Sequence, residues 1–502
     1  MNSAPGEDES GIRHWVLIET GGNQRYIFGS NRLRHIVGAS QLVQDAGTVW
    51  VKEAVKRCGL PPESIVMTAS GKALLLVASA EAGRAVIRQV TGRALTQAPG
   101  LRVTGAVGPA FDPADDTAHE RARRRTYEWH AKVRAARADP LLRDRMFPWH
   151  LSCRDTGWPA KLREGYGDEE AVPASAGVLA RSQGGERAKE RLRRELGTER
   201  IGIVPEHLDT LRQGGWMAVV HADGNGVGGL FQGFADQVAK AEGSERISLT
   251  THLHYQREVA AQLEKATWAA VREAVSALGA DRPAADLAGR LLPIVVGGDD
   301  VTVVCDAALA VPFVRAFAAA FATHTGQHPQ SELARVARAA TGRPWLTASA
   351  GIAVVKSHHP FGRAYDLAEE LVRSAKRLKH DGRSLAGFDF HLAHTSTLLG
   401  LSKLREYVER DDTRPARDTQ QPAEPAEPAG PIARYAGPYL LDGAAPDGAA
   451  ADLPAELRRR EVRLLDEICD WLGPMAGSPA RRRTPCARPP TVACPNTCIR
   501  CG

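Results

Sequence analysis

Residues 291–305 read LLPIVVGGDDVTVVC, two apolar runs rich in β-branched residues on either side of Gly297-Gly298-Asp299-Asp300. Valine and isoleucine suit a pleated sheet and glycine permits a tight turn, so the stretch predicts a β-hairpin. Two adjacent carboxylates follow the glycines at its tip. Successive side chains point to opposite faces of a strand, so the twist of the turn decides whether both acids project together. Taken alone, the stretch fits a plain surface turn equally well.

A second stretch, residues 215–229, reads GWMAVVHADGNGVGG, an apolar strand that ends at Asp223 and a glycine-rich loop. Hard divalent cations prefer oxygen ligands, and Mg²⁺ sites that handle phosphates take one or two carboxylates plus substrate oxygens. Small residues after Asp223 let backbone amides approach a triphosphate. The two stretches together therefore predict a phosphate and metal site where two strands end.

The order strand-Asp-Gly-Asn-Gly, long helix, strand-Gly-Gly-Asp-Asp-strand resembles the palm domain of the large subunit of type III CRISPR effector complexes. That subunit, the CRISPR polymerase (Cas-ten/Cmr-two), is related to diguanylate and adenylate cyclases. The opening residues 19–28, ETGGNQRYIF, are similar to the start of stand-alone relatives. The likeness covers most of residues 12–395. Family members often begin with a His-Asp nuclease domain, and no such segment precedes residue 14, so a stand-alone form without nuclease is expected.

The pattern of elements predicts an α/β (α+β) protein with two ferredoxin-like palm domains, each βαββαβ. In the first palm, the pattern predicts a strand from His14 to Phe28 and a helix capped by Asn31. We assign residues 12–111 to a degenerate first palm, 112–212 to a helical linker and 213–395 to a second, cyclase/polymerase-like palm with the GGDD hairpin. Residues 396–502 are expected to hold a C-terminal helix and a partly disordered low-complexity tail. The first palm has Ser70-Gly71-Lys72 for the GGDD turn and Gly21-Gly22-Asn23 for Asp223-Gly224-Asn225. It is therefore expected to be non-catalytic.

The composition is that of an ordinary globular protein, with 25% charged residues and a net charge of +6. That charge fits nucleotide or nucleic-acid binding without deciding between them. The N-terminus lacks a secretory signal and no apolar stretch looks long enough to span a bilayer, so we expect a cytoplasmic protein with no membrane partner. Four of the eight cysteines lie in the last 17 residues. Their spacing does not match the paired knuckles of usual zinc sites, and a disordered tail fits better.

In a cyclase-like or polymerase-like palm, a 3′-hydroxyl attacks the α-phosphate of a nucleoside triphosphate, assisted by two Mg²⁺ or Mn²⁺ ions. Asp223 and Asp299 are the predicted catalytic metal ligands, with Asp300 as a third ligand or a support. The predicted nucleotide-binding residues are Gly224, Asn225, Gly226, Gly297, Gly298, Ser349 and Lys376. Lys376 is included because residues 374–384 are similar to the stretch of diguanylate cyclases that contacts the triphosphate; a basic helix end that complements the helix dipole explains it equally well. His221 is expected to be a packed strand residue.

The resemblance implies a cyclic oligonucleotide second messenger made from ATP in antiviral defence. The residues by themselves support nucleotidyl transfer from ATP or another nucleoside triphosphate. Two alternatives stay open: an RNA-binding scaffold in a CRISPR ribonucleoprotein with other protein subunits, and a nucleotide sensor without turnover. Three carboxylates at one strand edge repel one another, which favours the enzyme. The site is completed either within one chain or by a homodimer.

Overall fold

The computed structural model describes residues 11–137, 146–165, 170–196, 215–279, 290–380, 382–393, 400–403, 405, 437–441, 457 and 460. It confirms the predicted class, a mixed helix and sheet fold with two ferredoxin-like palms. The predicted low-complexity segment, most of the predicted C-terminal helix and the tail cysteines lie outside the described residues.

The first palm is a four-stranded antiparallel sheet with the strand order β2-β3-β1-β4, the order of a ferredoxin-like domain. Its elements are β1 (Arg13–Gly21), α1 (Asn23–Ile27), α2 (Leu33–Gly47), α3 (Val49–Arg57), β2 (Ile65–Ala69), β3 (Lys72–Val77), α4 (Ala80–Gln97) and β4 (Arg102–Phe111). The strand predicted through residue 28 instead ends at Gly21, and α1 follows it. Gly22 has a positive φ of 67°, a conformation that suits glycine and turns the chain at this point.

The linker contributes α5 (Ala118–Ala136), β5 (Ala160–Glu164), β6 (Val172–Ser175) and α6 (Ala176–Leu196). Helix α6 crosses α2 at glycines: a Cβ on Gly38 would lie 1.7 Å from the carbonyl oxygen of Arg181. A Cβ on Gly184 would lie 2.5 Å from the carbonyl oxygen of Gly38. No larger residue fits either position, so these glycines set how closely the linker packs against the first palm.

The second palm repeats the order in its central strands, β10-β7-β9-β8, and extends it through β13 and β14. Its elements are β7 (Trp216–Gly224), α7 (Val227–Gln232), α8 (Phe234–Glu242), α9 (Leu249–Gly279), β8 (Leu291–Gly297), β9 (Asp300–Asp306), α10 (Ala307–Gly326), α11 (Glu332–Thr341), β10 (Ala348–Lys356), α12 (Phe361–Ala375), β11 (Lys379–His380), β12 (Arg383–Ser384), β13 (Gly387–Leu392) and β14 (Tyr439–Leu440). The predicted hairpin is therefore β8 and β9, and β9 pairs with the central strand β7.

Strand β8 lies at the edge of the sheet, where Pro293 is tolerated because its missing N–H costs no interior ladder bond. The register with β9 shifts between Pro293 and Val295, a β-bulge at Ile294. The carbonyl oxygen of Ile294 accepts a 2.6 Å hydrogen bond from the hydroxyl of Ser40, on α2 of the first palm. The bulge thus provides an acceptor that joins the two palms.

Buried side chains of both palms form one continuous core, from Val16 in β1 to Phe388 in β13. Further hydrogen bonds cross between the palms. The Gln24 amide donates to the Tyr365 hydroxyl at 3.3 Å, and the Asn31 Oδ1 atom accepts from the Phe361 backbone N–H at 3.3 Å. The sequence predicted Asn31 as the cap of α2, but in the structure it contacts the start of α12.

Within the described residues, one helix, α10, is long and apolar enough to cross a membrane by length and composition. This corrects the expectation that no apolar stretch has that length. Phe313, Phe317 and Phe321 of α10 are buried in the core. Core helices of this kind pass the same length and composition test as membrane spans.

Candidate active site

Three carboxylates meet at one edge of the second palm. Asp223, near the end of β7, is the direct cross-strand partner of Asp300, the first residue of β9. Asp299 precedes it in the turn and packs over the backbone of Gly224, where an added Cβ would lie 2.8 Å from the Asp299 Cβ. The loop glycine therefore permits the close approach of the two stretches quoted from the sequence. Gly298, with a φ of 63°, makes the turn, and its carbonyl oxygen accepts a 2.5 Å hydrogen bond from Thr267 of α9.

The proximity of the carboxylates changes their acidity. Burial, followed by repulsion from Asp223, raises the pKa of Asp299 well above its usual range. Burial, Asp223 and Glu369 raise the pKa of Asp300 to about 7, against the opposing charge of Lys376. The Asp300 side chain is 45% exposed as a whole, although its Oδ1 atom is buried. The negative charges of Asp223 and Glu369 thus act on the pKa of Asp300 in the same direction as burial.

Lys376, one residue beyond the end of α12, lies at this edge too. Its ammonium group donates to Oδ2 of Asp223 at 2.5 Å and to the carbonyl oxygen of Gly224 at 3.2 Å. The predicted phosphate-binding lysine is thus beside the predicted metal ligand, where its charge balances part of the negative charge of the site.

Two residues next to Asp300 were not predicted as part of the site. Nδ1 of His221 lies 3.3 Å from Asp300 Oδ1 and 3.2 Å from the Thr302 hydroxyl oxygen. Burial lowers the pKa of His221, which favours the neutral ring. The ring centroid of Tyr365 lies 5.1 Å from that of His221. The sequence could have indicated that His221 lies near the site. Residues two apart on a strand share a face, and His221 precedes Asp223 by two.

The other predicted side chains support the loop after β7. Asn225 is buried; its amide donates to the Thr347 hydroxyl at 3.0 Å and to the Leu385 carbonyl at 3.1 Å, and its Oδ1 accepts from Ser349 at 3.0 Å. Ser349 is fully buried. In this structure both residues therefore hold the loop, and a direct contact with a nucleotide stays a prediction. Gly226, with a φ of 80°, precedes α7 as its N-cap, and a Cβ added at Gly297 would lie 2.9 Å from the Ser70 Cβ of the first palm.

The donor set fits a divalent cation that also binds substrate oxygens. Among the described residues, the buried Oδ1 atom of Asp300 has no hydrogen-bond partner. The raised pKa values of Asp299 and Asp300 reflect burial and neighbouring negative charges that nearby positive groups do not balance. Within those same ranges, no three His, Cys, Asp or Glu side chains form a ready-made metal cluster. Mg²⁺ sites built from one or two carboxylates and phosphate oxygens need no such cluster.

The equivalent edge of the first palm has a different charge pattern. Lys72, the first residue of β3, pairs across the sheet with Glu19 of β1, and their charged groups are 3.7 Å apart. By strand register, Glu19 and Lys72 therefore correspond to Asp223 and Asp300. The correspondence of Gly21-Gly22-Asn23 with Asp223-Gly224-Asn225, expected from the sequence, is wrong by two residues. His130 and Arg134 also lie within 3.7 Å of Glu19, so this carboxylate is surrounded by basic groups.

A comparison with known protein families finds a match for part of this chain. The model described as "Cas10/Cmr2, second palm domain" matches residues 216–384. These residues form a Cas10/Cmr2 second palm domain. The matched segment contains Asp223, the GGDD hairpin and Lys376.

Solved structures similar to this chain include a Csm1-Csm4 cassette in complex with cA4, at 13% identity and a TM-score of 0.42 over 77% of this chain and 55% of that chain. Another is the cassette in complex with AMPPNP, at 13% identity and a TM-score of 0.43 over 75% and 54%. Csm1 in T. onnurineus gives 14% identity and a TM-score of 0.41 over 75% and 53%. This chain thus spans about half the length of those chains. No curated protein matches it significantly.

Proposed function

We propose that the second, Cas10/Cmr2 palm is a nucleotidyltransferase that joins nucleoside triphosphates through their 3′-hydroxyl groups with loss of pyrophosphate. The observation that carries this proposal is the cross-strand pair Asp223–Asp300 with Asp299 in the adjoining turn. A scaffold gains nothing from three carboxylates held so close that the charge of Asp223 raises the pKa of Asp299 and Asp300, whereas a cation-assisted transferase requires them.

The proposed roles follow from the geometry. Asp223, Asp299 and Asp300 would hold two Mg²⁺ or Mn²⁺ ions, which lower the pKa of the attacking hydroxyl and neutralise charge on the phosphates. Lys376, already at the carboxylate edge, would contact the triphosphate, and Gly224 to Gly226 would present backbone N–H groups to it. His221 orients Asp300 through its 3.3 Å contact and has no need to act as a base.

A cavity of about 660 Å³ between the palms is the proposed place for the rest of the nucleotide. Tyr365 lines it and links it to the carboxylate edge through the contact with His221. The first palm contributes Gln24, Arg25 and Phe28, and the Phe28 ring stacks on Tyr365 with centroids 4.2 Å apart. Both walls come from one chain, so the proposal needs no homodimer.

The finer assignment is ATP as substrate and a cyclic oligoadenylate second messenger as product, made in the cytoplasm for CRISPR-type antiviral defence. It is supported by the match of the second palm to the Cas10/Cmr2 family. Protein subunits and RNA of a CRISPR complex are the proposed partners.

The test is pyrophosphate release from ATP with Mn²⁺, followed by chromatography of the nucleotide products. Wild-type protein should form pyrophosphate and a 3′-linked product, and Asp299→Asn should reduce the rate by at least about a hundredfold, as expected for loss of a metal ligand. Asp236→Asn, in the exposed first turn of α8, is the matched control and should keep the wild-type rate. Turnover that persists in Asp299→Asn would refute the proposal.

One observation favours the sensor alternative. Lys376 is paired with Asp223, so in this structure a cation on Asp223 would have to compete with the ammonium group. A sensor would bind ATP with a measurable affinity and release no pyrophosphate under any metal condition. A scaffold would instead co-purify with RNA and show no ATP affinity.

A further inference from the structure

A second cavity, of about 450 Å³, lies between the first palm and the linker, and Asp223, Asp299 and Asp300 do not line it. We call it the linker cleft. Its volume is within the range of ordinary small-molecule sites. The lining residues that the argument uses are Arg25, Tyr26, Arg102, Thr156, Trp158 and Arg181.

Arg181 is the unusual residue of the linker cleft. It is only 8% exposed, and among the described residues its Nε and Nη1 atoms have no hydrogen-bond acceptor. Its guanidinium lies 4.7 Å from the centre of the Tyr26 ring, a cation–π contact that does not provide an acceptor for Nε and Nη1. Buried arginine is normally paired with a carboxylate or another acceptor.

The position of Arg181 is fixed by the backbone and not by a salt bridge. Its carbonyl group lies against Gly38 at the crossing of α2 and α6, so close that a Cβ added to Gly38 would lie 1.7 Å from the carbonyl oxygen. Asp155 is the acid among the cleft residues, and its carboxylate lies 3.6 Å from Arg32 and 3.5 Å from His35. Arg181 therefore presents a buried positive charge to the cleft, with its Nε and Nη1 atoms lacking an acceptor among the described residues.

We propose that the linker cleft binds a phosphate-bearing small ligand, with Arg181 as the buried anchor. Arg25 and Arg102 add positive charge at the wall, and a guanidinium group is suited to hydrogen-bond phosphate oxygens in pairs. Gly21, Gly22, Gly29 and Gly100 leave the backbone open to the ligand, and the half-buried Trp158 offers a ring face. This proposal does not depend on catalysis by the second palm.

The test uses tripolyphosphate as the probe, with full-length protein in EDTA so that no divalent ion assists binding. Isothermal calorimetry should detect binding to the wild type, and Arg181→Met should weaken it by at least about tenfold, the loss expected for a charge-assisted hydrogen bond. The Tm of the ligand-free Arg181→Met protein should be equal to or above that of the wild type, because the variant removes an uncompensated buried charge. A structural arginine would show the opposite Tm change.

Two further variants keep the result decisive. Thr156→Glu places a negative charge at the half-buried rim of the cleft and should weaken binding even if Arg181→Met does not fold. Arg194→Met, on the same helix with a side chain 69% exposed, is the control and should bind as the wild type does. No binding to the wild type, or binding that survives Arg181→Met and Thr156→Glu but is lost in Lys376→Met, would overturn the proposal.

Discussion

At the scale of single residues, the site depends on Gly224, the glycine that follows Asp223 in the sequence. A Cβ at Gly224 would meet Asp299 Cβ and Val227 Cγ2, each at 2.8 Å. A Cβ at Gly228, four residues later in α7, would meet nothing within 4 Å. The two glycines look alike in the sequence, but only Gly224 is required by a close contact.

We therefore expect Gly224→Ala to displace Asp299 and to lower pyrophosphate release by at least about tenfold, because small displacements of reacting groups are costly. Gly228→Ala should keep the activity and stabilise the protein by roughly 0.5 kcal/mol, since alanine favours the helix. Steady-state kinetics and thermal unfolding of both variants are the measurements. Equal activities in the two variants would contradict the proposed contact.

The raised pKa of Asp300 makes a prediction about stability. The folded-state pKa of about 7 is above the unfolded value near 3.8, so the contribution of Asp300 to stability falls as the pH rises from about 4 to 7. Asp300→Asn lacks this cost. In EDTA its Tm should exceed that of the wild type by about 2 °C at pH 8, a modest gain because the side chain is partly exposed, and the difference should vanish near pH 4.5. A gain independent of pH would exclude ionisation as its cause.

At the scale of secondary structure, α9 connects the GGDD turn to the linker and the first palm. Its Thr267 holds the turn through Gly298, and its His252 packs at the other end against His119 of α5, with ring centroids 5.3 Å apart. Neither histidine has a hydrogen-bond partner for its ring nitrogens within the described residues. Burial, followed by Arg123 and His119, lowers the pKa of His252 well below its usual value.

A histidine whose pKa is lowered on folding contributes stability that is present above the unfolded pKa near 6.5 and is lost as the pH falls below it. The contribution of His252 to stability should therefore fall as the pH is lowered from 7.5 to 5.5, and the Tm of His252→Phe relative to wild type should rise over the same change of pH. His254→Phe, at an exposed position two residues along α9, is the control and should keep the wild-type pH dependence. Calorimetry at the two pH values checks both variants, and identical pH profiles for His252→Phe and wild type would count against the buried pair.

At the scale of the whole molecule, the two palms act as one body because their cores are continuous and the β8 bulge is held from the other palm. Edge strands with a bulge have few partners of their own, so the Ser40 hydroxyl is an important support for the hairpin. The second palm is therefore not expected to keep its site geometry when the first palm is removed.

Ser40→Ala leaves the buried carbonyl of Ile294 without its donor and should cost about 1–2 kcal/mol of unfolding free energy. It should also lower activity, because the strand it supports leads into the GGDD turn. Ser276→Ala removes a comparable serine-to-carbonyl bond that stays inside α9 and should leave the activity unchanged. Thermal unfolding and ATP turnover compare the two variants. A stable, fully active Ser40→Ala protein would show that the palms are not coupled at this point.

The sequence by itself determined the two palms, the hairpin and the carboxylate edge. Alternating apolar residues, β-branched strands and glycines at turns are local patterns, and they fix which residues lie at strand ends. The class of the fold was predicted correctly for this reason. The sequence was less successful where a polar residue had two plausible local roles, as with Asn31, which contacts α12 and does not cap α2.

Only the tertiary structure decided the register and the partners of the charged groups. It aligned Glu19 and Lys72 with Asp223 and Asp300, placed Lys376 beside Asp223, and left Nε and Nη1 of Arg181 without an acceptor among the described residues. These contacts join positions far apart in the chain, and their energies depend on burial and on neighbouring charge, neither of which is a property of a short stretch of sequence.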